Sequence, residues 1–166
     1  MGVTLEFLIS MRDDPRMEQP MVSLARPDLC TTVLEDMSAH ELRELARELR
    51  VFSDLDGTAE FAKYDDTCIG REEWLEAVNA PPVTTTQVNL CIVKPSTKAL
   101  GGSYADTLLA GQAWYTGPPT DFASHAWRYS FASFVDAIES EAKERARTRA
   151  EAGLAPDPTR YYWNGE

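Results

Sequence analysis

The chain has 166 residues, enough for one ordinary domain or for a small helical unit and part of a second. Hydrophobic residues make up 43% and charged ones 26%, too apolar a composition for a disordered chain. Against 16 basic residues stand 27 acidic ones, a net charge of −11, so the overall field repels phosphate backbones and anionic lipid and argues against nucleic-acid or membrane binding.

Cysteine usage adds a second exclusion. Cys30, Cys68 and Cys91 are odd in number and widely spaced, and with only His40 and His125 beside them neither a structural zinc site nor a disulfide framework is expected. The opening residues have an apolar run but no basic lead, unlike a signal peptide, and no segment approaches the roughly 20 apolar residues that span a bilayer. The expectation is a cytoplasmic protein with reduced thiols, no metal and no cofactor.

In chain order, residues 1–35 read as an extended lead-in. Val3 to Ile9 begins with period-two alternation and predicts a strand, and Pro15, Pro20 and Pro27 then interrupt regular structure. Residues 36–80 read as a helical unit. Ser38 and Glu41 form a capping-box pattern, and Leu42, Leu45, Ala46 and Leu49 follow at the spacing of one helical face. A second helix is predicted over Arg71–Asn79, burying Trp74, Leu75 and Val78 and ended by Pro81-Pro82. Two short helices around a polar turn, with Leu34 to Ser38, Glu41 to Ala46 and Tyr64 to Leu75 as they stand here, resemble the SAP-like helical unit. The acidic loop argues against the DNA binding of some members, and packing or partner contact is the expected role.

Within that loop, Asp54-Leu55-Asp56-Gly57-Thr58 matches the DxDGT signature of HAD-type phosphatases, in which the first aspartate is the nucleophile and the second an acid/base beside Mg²⁺. That chemistry needs a buried strand before Asp54, whereas the preceding residues are an Arg- and Glu-rich helix face. An Asx/Gly turn is therefore the expectation. An EF-hand fails too, because Gly57 falls at loop position four and Asp65 at position twelve.

Residues 81–118 read as a connector. Val83 to Val88 mixes Thr with Val, Leu90 to Val93 is a short buried strand or helix, and Ser103 with Asp106 caps a short helix carrying Tyr104, Leu108 and Leu109. Residues 119–166 then read as strand, helix and strand. Asp121 to Ala126 is the first strand. Ser130 caps a helix with Phe131, Phe134, Val135, Ile138, Ala142 and Ala146 on one stripe, Gly153 stops it, and Arg160 to Trp163 is β-prone. Such a unit predicts parallel strands, with ligands gathering at the strand's carboxyl end, here Ser124, His125, Trp127 and Arg128.

Thr120 to Trp127, with Tyr129, Phe131, Val135, Asp136 and Ile138 after it, resembles the opening strand and first helix of TIR-like domains of the Ser-His-Ala-Trp type, and Tyr161-Tyr162-Trp163 is similar to that family's second strand. The resemblance covers residues 119–163. It implies an incomplete flavodoxin-like α/β fold with parallel strands after the small helical unit, and self-association or binding of a protein partner through the α/β segment. Some TIR domains cleave NAD with a glutamate on a later helix, which this chain is expected to lack. Ser124 and His125 are adjacent, so on a strand they point to opposite faces and do not form a nucleophile–base pair. The functional expectation is a non-catalytic interaction or signalling module. The alternative is an enzyme, either a TIR-like NAD hydrolase missing its C-terminal part or a HAD-like phosphatase using Asp54 and Asp56.

Overall fold

A computed structural model of the chain describes residues 2–51, 69–98, 101, 113–123 and 129–163. The first element is a two-residue strand, β1 (Gly2–Val3), and α1 (Leu5–Arg12) follows at once. The strand expected over Val3 to Ile9 is thus corrected. Thr4 is an extended N-cap whose hydroxyl accepts from the Phe7 amide at 3.3 Å, and Phe7, Leu8 and Met11 then turn into the core. The proline-rich stretch is helical as well. Asp14 caps a 3₁₀ turn over Pro15–Glu18, and α2 (Met21–Ala25) and α3 (Thr31–Asp36) follow. Met21 and Val22 are almost fully buried.

The centre of the core is α4 (Ala39–Glu48) against α5 (Arg71–Asn79). Ser38 and Glu41 close the capping box in both directions, and Leu42, Leu45, Ala46 and Leu49 are all buried, as their spacing predicts. Trp74 and Val78 of α5 are completely buried against them. Arg71 ties α5 to the end of α3 by donating to the Glu35 and Met37 carbonyls.

Residues 85–98 form one helical run: α6 (Thr85–Val88), a π-helical segment (Asn89–Val93) and α7 (Lys94–Lys98). Thr84 and Gln87 make a second reciprocal cap. The π segment ends two residues before Pro95, whose ring in a regular α-turn would meet the Cys91 carbonyl, and the wider winding avoids that clash.

A 3₁₀ turn (Ala113–Tyr115) leads to β2 (Thr116–Gly117) and β3 (Asp121–Phe122); α8 (Phe131–Glu151) and β4 (Tyr162–Trp163) complete the described elements. The sheet order is β2-β1-β4-β3, with β1 antiparallel to both neighbours and β3 parallel to β4. This overturns the expected flavodoxin-like α/β class. The described chain is mainly helical and each strand is two residues long. A parallel layer needs longer apolar strands covered on both faces, whereas here the core is supplied chiefly by helices. The first strand expected over Asp121 to Ala126 is limited to Asp121–Phe122 among the described residues. The helix expected after Ser103 lies outside them.

Candidate interaction surface

The corner where β3, β4 and α8 meet is set by α8. Ser130 caps it, accepting from the Ser133 amide at 3.2 Å, and Phe131, Val135 and Ile138 face the core. Beyond Ile138 the stripe changes character. Ala142 and Arg145 are half-buried, Ala146 is exposed and Arg149 is half-buried. Gly153 ends the helix at a φ of +66°, a conformation that favours glycine, and the chain then turns back along the helix.

Ion pairs hold that return. Asp157 Oδ2 accepts from Arg160 Nε at 2.9 Å, and Arg149 Nη1 lies 3.6 Å from Asp157 Oδ1. Arg149 Nε also donates to the Ala155 carbonyl at 2.9 Å. Asp121 of β3 accepts from Arg160 at 2.6 Å and lies 3.5 Å from Arg145. The Arg160 bond, with the charges of Arg149 and Arg145, holds the Asp157 carboxyl below the usual carboxylate range. At Asp121 burial pushes the carboxyl upward, but bonds from Thr120 and Arg160 outweigh it and the net shift is down. Burial raises the Tyr162 phenol, with Asp121 and Glu141 adding to the effect.

Next to this network lies a cleft of about 280 Å³, with Phe122, Ala123, Phe134 and Ile138 in its apolar wall and Asp121, Glu141 and Arg145 among its polar lining. Phe122 is 64% exposed on the outer strand of the sheet. On the other side of residues 124–128, Tyr129 is 57% exposed and Val83 55%. Two backbone bonds join those two segments, from the Thr85 amide to the Tyr129 carbonyl and from the Phe131 amide to the Val83 carbonyl. Phe122 and Tyr129 thus stand on either side of residues 124–128 in sequence, and Val83 is held beside the Tyr129 segment.

The predicted binding residues Ser124, His125, Trp127 and Arg128 lie outside the described residues, as do Asp54 and Asp56. Ala123 lines the cleft, and Tyr129 lies just before α8. Sequence reading gave no binding role to Val83 or Tyr129 and missed the Asp121–Arg145–Arg160–Asp157 network, in which Asp121 lies far in the chain from both arginines. Among the described residues no group of three or more His, Cys, Asp or Glu could hold a metal ion, and no helix is long and apolar enough to cross a membrane. Comparisons with protein-family models, curated proteins and solved structures found no match.

Proposed function

We propose that the chain is a non-catalytic interaction module that self-associates through the β3 corner. The observation that carries this reading is the exposure of Phe122 beside an apolar cleft, with Tyr129 and Val83 exposed on a second pair of joined segments, because large exposed apolar side chains mark interaction surfaces. The edge of β3 supports it. No strand lies beyond β3 among the described residues, so its outer backbone groups can pair with the same edge of a second copy about a twofold axis. These ion pairs set Arg145, Arg149 and Arg160 against Asp121, Glu141 and Asp157, so the repulsion expected from a net charge of −11 is reduced here. The enzyme readings rest on Asp54 and Asp56, which lie outside the described residues, or on a glutamate of a later helix.

Sedimentation equilibrium tests the proposal. A dimer is expected, with Phe122→Ser and Tyr129→Ser each shifting the equilibrium at least tenfold towards monomer while the thermal transition of the monomer stays unchanged. A wild-type chain that is monomeric up to about 1 mM would overturn it.

A further inference from the structure

A second groove, separate from the β3 corner, runs between α2 and the 85–98 helical run. Leu24, Ala25 and Pro27 line one side and Leu90 and Pro95 the other, with Lys94 and Lys98 at its margin. Leu24 and Leu90 are half-buried and pack on the core beneath, so the floor is fixed. The two lysines are one helical turn apart, on one face and exposed.

Their charge is what sets this groove apart. In this acidic chain Arg12, Arg16, Arg26, Arg47, Arg71, Lys143, Arg145, Arg147, Arg149 and Arg160 each meet a carboxylate. Lys94 and Lys98 meet none among the described residues, a state they share with Arg50, which stands alone rather than beside an apolar groove. The nearby hydroxyls are committed elsewhere, Ser96 to the Ile92 carbonyl at 2.7 Å and Thr97 to that of Val93 at 3.2 Å. The lysines also follow the π segment, a local irregularity that often marks functional positions.

We infer that this groove docks an acidic, apolar peptide segment of a partner protein, its Leu- or Phe-type side chains on Leu24, Leu90 and Pro95 and its carboxylates on Lys94 and Lys98. A peptide fits the charge distribution better than an anionic bilayer does. Screening confines each charge to about 8 Å at physiological salt, so a narrow segment feels mainly the local lysines. A membrane would instead face a broad surface of a molecule whose net charge is −11.

Selection of a random-peptide library on the full chain tests this, followed by fluorescence anisotropy of the recovered peptides. Peptides that interleave Asp or Glu with Leu or Phe are expected. The Lys94→Glu/Lys98→Glu variant, changed only at exposed positions, should bind them at least tenfold more weakly, and added salt should weaken wild-type binding. Phe122→Ser should bind them as wild type does, which separates this site from the self-association surface. The inference is overturned if no peptide is recovered, if the recovered peptides are not acidic, if the double variant binds them equally well, or if the chain co-sediments with phosphatidylserine vesicles through these lysines.

Discussion

Gln87 does more than its place at the start of a short helix suggests. Its side-chain oxygen accepts from the Val83 and Thr84 amides, both at 3.0 Å, while its amide donates to the Arg50 carbonyl at 3.1 Å. Arg50 has a φ of +57°, so this bond caps a left-handed residue at the end of α4. Gln87→Ala would remove three part-buried hydrogen bonds to the backbone and should cost about 1–3 kcal/mol in urea unfolding. Ser38→Ala, which removes one exposed cap, should cost about 1 kcal/mol. A smaller loss at Gln87 than at Ser38 would mean that water replaces its bonds. The two caps also differ in how far sequence reveals them. Ser38 and Glu41 precede an evident apolar stripe. Thr84 and Gln87 have the same spacing, but they lie among threonines that suggest strand, and the bond to Arg50 has no local signature. Gly117 shows a comparable limit. A Cβ there would lie 2.5 Å from the Tyr161 ring, a contact between residues that sequence gives no reason to pair. Gly117→Ala should displace Tyr161 and lower the thermal midpoint, with a changed tyrosine near-UV signal as the check.

Among the elements, α8 is the most legible, since its cap, its stripe and its terminating glycine are all local. Its second half is less so, because the face that continues the stripe is occupied by Arg145 and Arg149, which hold the returning segment by charge. That segment should be acid-labile. Asp121 and Asp157 titrate below their unfolded values, so their stabilisation is complete above the ordinary carboxylate range and is lost as pH falls through the depressed values. Glu139, lowered first by Lys143 and then by Arg12, adds to the same limb. Thermal midpoints measured from neutral pH downward should fall below about pH 4, and Asp157→Asn should flatten that fall while reducing stability at neutral pH. An unchanged acid limb in that variant would show that Asp157 does not hold the return. At the other end of the chain, Val3 to Ile9 is too short and too apolar for alternation to be told from a helical period. The Thr4 cap decides the matter, and that is visible only once the Phe7 amide is seen to need it.

At the scale of the molecule, the order strand, helix, strand over residues 121–163 is present, yet the fold class it suggested is not. Periodicity locates elements but leaves the length of a strand, and hence the weight of a sheet, undetermined. Here the weight lies with Trp74, Val78, Leu42, Leu49 and Met21, all contributed by helices. Trp74→Ala should therefore cost about 3–5 kcal/mol in urea unfolding, more than any substitution in the sheet. The candidate interaction surface was only partly legible for the same reason. Val83 comes beside the Tyr129 segment only by pairing across the fold, which no local pattern announces.

The position of β1 inside the sheet bears on biosynthesis. Gly2 and Val3 leave the ribosome well before Thr116, Gly117 and Tyr162, the residues with which they pair. Throughout translation that strand waits with its hydrogen-bonding groups unfilled, and α1 waits for α8 to cover it. Nascent chains stalled at Glu151 should thus remain open to protease around Phe7 and Met11, becoming resistant only after Trp163 has cleared the exit tunnel.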